Sequence, residues 1–431
     1  MTKTTKLMSV GASSVMLALA LSSIATAAHR PAAQRQKVTI TFWNEMTGPY
    51  EVALNRIMAT FGKTHPNIHI EDVVVPNDAA LEPKLLAAIV SGTPPTISQM
   101  NPNWAAGFVK TGSLVNLNPF IHSKAGFSTQ PYFKTLLSAG QFNGGQYAMP
   151  FNVSASVMYY NKIQFRQAGI KAPPKTWAEF ARDAKKLSTH GRHAFAITLV
   201  HSYPFRAFVV EAGGGFILPS GKPNPSVFGA KGAGVKALTL WSNMVKNGSA
   251  ILTQGYGSQT DFANGTSSIL EGTSAFYPYL AQAVGHKFPI GIAPMPGDVK
   301  QGTAAFGGYL GIFSKASPAQ KKAAEEFVKF LTSRVGQTIW MQDSQGYLPV
   351  RDDVAKVPSA KKFLATHPAQ QVALSQLGIA VMSPKVGWWN QFSNQYLIND
   401  ITAVLDKKIT PVQAMREAYH QAEETYASPQ G

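Results

Sequence analysis

The sequence contains no cysteine and few carboxylates. Its 431 residues include 22 Asp and Glu against 39 Lys and Arg, which gives a formal net charge of +17. The absence of thiols excludes disulfide frameworks, thiolate zinc sites, iron–sulfur clusters, cysteine nucleophiles and a lipid anchor attached through cysteine. The excess of positive charge is compatible with nucleic-acid binding, an anionic surface, or simply a scarcity of acids.

Long apolar runs are also scarce. After the first 27 residues, no stretch approaches the ~18 uninterrupted apolar residues of a membrane span. At the start, Lys3 and Lys6 precede an apolar run from Leu7 to Ile24, which ends in Ala25-Thr26-Ala27. This pattern predicts a secretory signal peptide cleaved near Ala27. We therefore expect an exported protein in the periplasm or at the extracellular face of the membrane, without a lipid-anchor cysteine and without a nucleic-acid partner.

The common catalytic motifs are incomplete. Residues 215–221 lack the spacing of a Walker A loop, and residues 272–276 lack the last glycine of a nucleophile elbow. His65 and His69 are separated by Pro66 and cannot share a helix face for zinc. A glycosidase needs two facing carboxylates, for which the loose candidates are Glu45, Asp72, Asp78 and Glu271. We expect no catalytic residues, no metal and no cofactor, and therefore no enzyme.

The first hundred residues after the leader alternate between strands and helices. The patterns predict strands at 37–43, 68–75 and 96–100, with helices at 50–61 and 82–90. This order implies parallel strands, right-handed crossovers and an open α/β sheet. In such sheets ligands bind outside the carboxyl ends of the strands, which are 43–45, 76–78 and 101–104 here. Glu45 and Asn101 are candidate ligand contacts for that reason.

The rest of the chain continues the same alternation. Further strands are predicted at 157–160, 194–200, 289–292 and 308–313, with helices at 177–187, 233–246 and 318–333. Ser317 is the expected cap of the last of these helices, and the chain after residue 360 is mostly helical. The length suits two or three domains. We predict two α/β lobes between which the chain crosses more than once.

Aromatic and small polar residues near strand ends are candidate ligand contacts. Flat faces for sugar C–H groups are expected from Trp43, Trp104, Tyr277, Tyr279, Tyr347, Trp388 and Trp389. Hydrogen bonds to hydroxyl or phosphate oxygens are expected from Ser154, Thr273, Ser274 and the amides of Gly307 and Gly308. Trp388 and Trp389 are favoured because two adjacent indoles are not expected to face one core. In contrast, we expect Trp177, Trp241 and Trp340 to be core residues.

Several segments together resemble the extracellular solute-binding proteins of family 1, which serve bacterial ABC importers. They are FWNEM (42–46), KLLAAI (84–89), SGTPP (91–95), MPFN (149–152), YYNK (159–162), PPKTWAEF (173–180), GG (307–308) and QGYLPV (345–350). The resemblance implies a type II periplasmic-binding-protein fold with the cleft between an N-terminal lobe (38–153 plus 304–348) and a C-terminal lobe (154–303 plus 349–428). It also implies a monomer that closes around a small molecule and delivers it to membrane permease subunits.

Within that family the chain is most similar to the glycerol-3-phosphate-binding branch. The similarity implies ligand contacts from Ser154, Ser274 or Thr273, Gly308 and Tyr347. This chain departs from the branch at Leu81 and at Asn101-Pro102. It also departs at Val386-Gly387, where the branch has a phosphate-pairing arginine and this chain has the neighbouring Lys385. Lysine lacks the bidentate fork of arginine. Carbohydrate is therefore the favoured ligand, with glycerol 3-phosphate or its diesters as the alternative.

Three other hypotheses stay open at this point. A secreted carbohydrate-active hydrolase would turn over sugars, and an adhesin for anionic surfaces would use the basic charge. Separately, the scarcity of acids suggests a host that lives in acid, since fewer paired carboxylates mean less stability lost when acid protonates them.

Overall fold

The computed structural model describes residues 37–189 and 191–428, so the predicted signal peptide lies outside the described residues. The strands are β1 Val38–Asn44, β2 Ile68–Val74, β3 Ile97–Met100, β4 Gln141–Phe142, β5 Gly145–Gln146, β6 Ala148–Asn161, β7 Phe195–Thr198, β8 Ala250–Thr253, β9 Ile269–Thr273, β10 Ile290–Ala293, β11 Thr303–Ile312 and β12 Ala380–Val381.

The helices alternate with these strands and then dominate the last third of the chain. They are α1 Pro49–Thr64, α2 Asp78–Val90, α3 Pro102–Lys110, α4 Asn118–Ile121, α5 Lys134–Ala139, α6 Lys162–Gln167, α7 Trp177–Leu187, α8 Tyr203–Glu211, α9 Pro225–Phe228, α10 Ala233–Lys246, α11 Gly257–Asn264, α12 Tyr277–Val284, α13 Pro318–Leu331, α14 Arg334–Ser344, α15 Pro358–Thr366, α16 Pro368–Ser375, α17 Trp389–Gln391, α18 Leu397–Leu405 and α19 Pro411–Ala427. Within the described ranges, no helix combines the length and the apolar character needed to cross a bilayer.

The parallel strands predicted at the start of the chain are confirmed. Strand β1 lies between β2 and β3 and is parallel to both. Its alternate residues Ile40 and Phe42 are fully buried, as a period of two requires. Helix α1 begins with Pro49 at its first turn and buries Leu54, Ile57 and Phe61 against the sheet. The carboxyl ends of β1 and β3 therefore lie at the same edge of the sheet.

A long antiparallel pair continues the sheet beyond these strands. Strand β6 has 14 residues and pairs with β11 in its first part and with β9 and β10 in its second. The sequence predicted only residues 157–160 as a strand there, and a proline such as Pro150 is unusual in a central strand. Pro150 is accommodated opposite Tyr309, next to a register shift between Gly308 and Tyr309. The strand order of the sheet is β2-β1-β3-β11-β6-β9-β7-β8.

Two large clusters of apolar side chains form most of the core. The first cluster includes Phe61, Phe151, Phe262, Phe327 and Trp340. The second is built by α7, α8, α10 and the C-terminal helices, and it includes Phe180, Phe208, Trp241, Trp389 and Phe392. Since Phe151 and Phe262 lie on either side of the predicted lobe boundary, the first cluster spans that boundary.

Helix ends follow local capping chemistry. Thr176, Ser317 and Thr410 each accept a hydrogen bond from the third helical residue, whose own side chain accepts from the backbone of the cap. The helix predicted at 318–333 ends at Leu331, because Ser333 caps the following helix α14 by accepting from the Gly336 amide. The predicted helices 177–187 and 233–246 have the bounds of α7 and α10.

Candidate functional site

A cavity of about 350 Å³ opens at the carboxyl ends of the parallel strands. Residues 45–47 after β1, 76–78 before and at the start of α2, and 101 and 103 after β3 line it. The middle of β6 and β11 and the end of β9 form further parts of the lining. The volume lies in the range of small-molecule sites, and the position is the one that open α/β sheets use for ligands.

One part of the lining, which we call the carboxylate side, consists of Glu45, Tyr50, Asp78, Tyr279 and Tyr347. The Gln99 side-chain amide donates to Glu45 Oε1 at 2.8 Å. Burial, aided by the negative charge of Asp78, raises the pKa of Glu45 to about 8. At neutral pH the Glu45 carboxyl is therefore mostly protonated and can both donate and accept a hydrogen bond.

The tyrosines of the carboxylate side pack against one another. The Tyr50 ring lies 4.7 Å from that of Tyr347 and 5.7 Å from that of Tyr279, measured between centroids. Tyr347 in turn stacks on the buried indole of Trp340, with centroids 5.3 Å apart. The Tyr50 hydroxyl donates to the Ala275 carbonyl. This packing holds the aromatic faces in place before any ligand binds.

The floor of the cavity is backbone from β11 opposite β6. Gly308 donates its amide to Asn152 Oδ1 at 3.0 Å. A Cβ atom at Gly308 would come within 2.4 Å of both Asn152 Oδ1 and Gln99 Nε2, so no side chain fits there. Ser154 lies in register with Phe306, the residue before Gly307. Small groups and backbone thus line the floor and leave room for a ligand.

A second part of the lining, the arginine side, consists of His201, Tyr203, Arg206, Phe306 and Trp389. The Tyr203 ring lies 4.4 Å from the Phe306 ring, centroid to centroid. The Arg206 guanidinium carbon lies 4.9 Å from the centroid of the Phe306 ring. Sequence reasoning missed His201, Tyr203, Arg206 and Phe306. The one available signal was an arginine inside the otherwise apolar run 203–210.

The structure brings eight of the twelve predicted ligand-binding residues to this cavity, and four lie elsewhere. Those that line it are Glu45, Asn101, Ser154, Thr273, Gly307, Gly308, Tyr347 and Trp389. Their contact with a ligand stays a prediction. The four that do not line it are Trp43, Trp104, Ser274 and Trp388.

The expectation that adjacent indoles cannot face one core is wrong. Trp388 and Trp389 are 3% and 5% exposed, and both belong to the second core cluster. Their rings meet edge to face at 70°, and Phe392 packs against both. Trp388 donates its indole N–H to the Gly221 carbonyl at 3.0 Å, away from the cavity. A perpendicular pair of rings can thus share one core, and only Trp389 also reaches the lining.

The other three misplaced residues have local reasons. Trp104 is 5% exposed because α3 turns it into a third apolar cluster with Phe108 and Phe313. Trp43 is half-buried, with the Lys84 ammonium 4.3 Å from its ring centroid. Ser274 is fully buried at the first position of the short 3-10 turn Ser274–Phe276. Side-chain direction, which sequence position alone does not give, decides each case.

Of the loose carboxylate candidates, Glu45 and Asp78 line the cavity. Asp72 accepts from the Asn44 side-chain amide at 2.6 Å, and Glu271 is buried in β9. Burial raises the pKa of Glu271 to about 7. Across residues 37–189 and 191–428, no group of three or more His, Asp or Glu side chains is placed to hold a metal ion.

The long antiparallel strands, the parallel strand ends and the small-molecule cavity together define a ligand-binding protein with the type II periplasmic-binding-protein fold. Solved structures of binding proteins share this fold. The GacH receptor of Streptomyces glaucescens, known unliganded and with acarbose, has a TM-score of 0.79 at 20% identity over 90% of this chain and 98% of that one. UgpB of Mycobacterium tuberculosis, in complex with glycerophosphocholine, has a TM-score of 0.80 at 21% identity over 90% and 98%.

The family follows from the sequence comparison. The model of the bacterial extracellular solute-binding protein family matches residues 56–369, and the chain belongs to that family. A curated relative, the sn-glycerol-3-phosphate-binding periplasmic protein of Yersinia enterocolitica, is 26% identical over 370 residues, which span 78% of this chain and 80% of that protein. The chain is a solute-binding protein of an ABC importer, and its family and structural relatives are binding proteins rather than enzymes.

Proposed function

We propose that the protein captures a carbohydrate in this cavity by hinge closure and delivers it to the permease subunits of its importer. The observation that carries the proposal is the pairing of preset aromatic faces with hydroxyl-binding groups in one small-molecule cavity. Tyr347 and Tyr279 offer flat faces, while Glu45 and Ser154 offer hydrogen-bond donors and acceptors. The acarbose complex of the GacH receptor supports a sugar in such a fold.

Closure needs two lobes and contacts that form between them. We assign residues 38–153 plus 304–348 to one lobe and 154–303 plus 349–428 to the other, joined through β6 and β11. Several hydrogen bonds link the two sets of residues. Asn390 Nδ2 donates to Glu82 Oε2 at 2.8 Å, Lys385 Nζ donates to the Ser138 carbonyl at 2.9 Å, and the Tyr50 hydroxyl donates to the Ala275 carbonyl. A ligand that touches both lobes would favour the state in which these bonds form.

Glycerol 3-phosphate or a glycerophosphodiester is the alternative ligand. The names of the Yersinia and Mycobacterium relatives support it. Against it, Lys385, the cation nearest the position of the branch's arginine, does not line the cavity. Its ammonium donates to the carbonyls of Ser138 and Gln141 at 2.9 and 2.8 Å. We therefore keep carbohydrate as the proposed ligand class.

A thermal-shift screen of the exported form tests this proposal. The panel contains neutral mono- and oligosaccharides, sugar acids, sugar phosphates, glycerol 3-phosphate and glycerophosphocholine. We expect a carbohydrate to raise the melting temperature, to lower the radius of gyration in small-angle X-ray scattering, and to be recovered unchanged. Stabilisation by glycerol 3-phosphate and by no sugar would overturn the ligand class. Conversion of a sugar to products would favour the hydrolase hypothesis, in which Glu45 and Asp78 are the carboxylates that line the cavity.

A further inference from the structure

Arg206 is a buried cation at the edge of the cavity. It lies on α8, its side chain is 4% exposed, and it lines the cavity together with Tyr203 and Phe306. Burial lowers the pKa of its guanidinium to about 9, which still leaves it charged at neutral pH. The cavity therefore carries a fixed positive charge on the arginine side.

This charge is poorly matched by the protein around it. Arg206 Nη2 donates to the Ala305 carbonyl at 3.3 Å, and the Phe306 ring covers one face of the guanidinium. Within the described ranges, Nε and Nη1 are buried without a hydrogen-bond partner. No carboxylate of the described residues lies within 4.0 Å of its nitrogens. A buried charge without counter-ion is unfavourable for folding, so its retention calls for a reason.

The buried acids Glu211 and Glu271 do not supply the missing counter-charge. Glu211 ends the same helix, five residues on, and accepts from the Trp177 indole N–H at 2.9 Å. Burial raises the pKa of both Glu211 and Glu271, which favours their neutral forms. On the carboxylate side, the Glu45 carboxyl binds Gln99. Arg206 thus lines the cavity with a guanidinium whose Nε and Nη1 have no hydrogen-bond partner among the described residues, and an anion is the group that would satisfy it.

We propose that Arg206 binds an anionic substituent of the ligand, so that the carbohydrate carried by this protein is a sugar acid or a sugar phosphate. This inference rests on the proposed function, because it adds a charge to the proposed sugar. The anchor lies on α8, whereas the glycerol-3-phosphate branch places its arginine near residues 386–387. Carboxylate and phosphate share the chemistry that a guanidinium recognises, and the experiment separates them.

Isothermal titration of the exported form with matched sugars tests the inference. The probes are D-glucose, D-glucuronate and D-glucose 6-phosphate, then D-galactose and D-galacturonate, then glycerol and glycerol 3-phosphate. We expect an anionic member to bind at least about tenfold more tightly than its neutral partner. In R206Q that preference should disappear, while K385Q, which changes an exposed cation outside the cavity, should keep it within about twofold.

R206K covers the case in which R206Q does not fold. A lysine keeps the charge but loses the planar fork, so R206K should weaken the anionic member by at least about threefold and leave the neutral one unchanged. Equal weakening of both members, or of neither, would overturn the inference.

The outcomes separate the two proposals. If wild-type protein binds neutral sugars tightly and rejects the anionic ones, carbohydrate transport stands and the role of Arg206 fails. If glycerol 3-phosphate alone binds, and only with Arg206 present, the anion anchor stands and the carbohydrate assignment fails. If an anionic sugar binds equally well in R206Q, the anchor fails.

Discussion

The carboxylate side and the arginine side of the cavity carry opposite groups, and burial affects them differently. Burial raises the pKa of Glu45 to about 8, so this carboxyl sheds its charge by taking a proton at neutral pH. Burial lowers the pKa of Arg206 only to about 9, so the guanidinium keeps its charge. Buried acids can therefore line a cavity as neutral hydrogen-bonding groups, whereas a buried arginine stays a cation, which is the basis of the proposed preference for an anion.

The largest expected effect comes from substituting Trp389 on the arginine side. The indole is buried against Phe216 and Phe392 and also lines the cavity. Trp389→Ala should lower the free energy of unfolding by about 3–5 kcal/mol, as measured by urea denaturation. Trp389→Phe is the milder change and keeps an aromatic ring in the core. Because part of the indole lines the cavity, this variant should still weaken ligand binding in isothermal titration.

Trp388 is the matched control for this comparison. It is buried to the same degree in the same cluster but does not line the cavity. Trp388→Ala should therefore lose similar stability, and Trp388→Phe should keep the ligand affinity within about twofold of wild type. Equal loss of affinity in both Phe variants would mean that Trp389 acts through the core alone.

The next largest effect is the pH dependence of stability that results from protonation of the buried Glu271. Burial raises the pKa of Glu271 from its ordinary 4.5 to about 7, so between these values the folded state binds more protons than the unfolded state. Stability is thus fullest below about pH 4.5 and is lost as the pH rises through about 7. Glu271→Gln removes this dependence. The free energy of unfolding of the variant minus that of wild type should therefore be about 3 kcal/mol larger at pH 8 than at pH 4.

Urea denaturation at a series of pH values measures this difference, with the exposed Glu424→Gln as control. Glu45, Glu82 and Asp400 have pKa values raised in the same direction by burial, to about 8, 7 and 7. Together they predict a wild-type protein more stable at pH 5 than at pH 8, in keeping with the hypothesis of an acid habitat. A collapse of stability between pH 5 and pH 3 would speak against that hypothesis.

A smaller effect is expected at the hydrogen bond between Glu82 and Asn390, which joins the two proposed lobes. Asn390→Ala should destabilise the closed state by about 1 kcal/mol and lower ligand affinity by about fivefold. A double-mutant cycle with Glu82→Ala, read by isothermal titration, should give a coupling of similar size. Additive losses in the cycle would show that this bond does not take part in closure.

The smallest effect is expected at Lys385. Its exposed ammonium donates to two backbone carbonyls outside the cavity. Lys385→Gln should change the free energy of unfolding by less than about 1 kcal/mol and leave the preference for an anionic over a neutral ligand within about twofold of wild type. A loss of this preference as large as that in R206Q would indicate that Lys385 binds the anion, and the proposed difference between the two sides of the cavity would be wrong.

Prediction from the sequence succeeded where local rules decide. The strand and helix order from residue 37 to 100 fixed a parallel edge, and Glu45 and Asn101 follow strands at that edge. It failed for Trp104, Ser274 and Trp388, because a turn of a helix or a short 3-10 segment decides which way a side chain points. It also gave no bounds for α8 and predicted no ligand contact from Arg206.

The sequence by itself determined the class of the protein, because motif order and alternating strands and helices are properties of the chain. It also determined the absence of thiol chemistry and the carboxyl-end residues of β1 and β3. The tertiary structure decided the arginine side of the cavity. Helix α8 brings Arg206 beside Phe306, a residue one hundred positions later in the chain. This contact depends on the position of β11 relative to segments that are distant in the sequence. No local sequence pattern therefore predicts that one side of the cavity is positively charged.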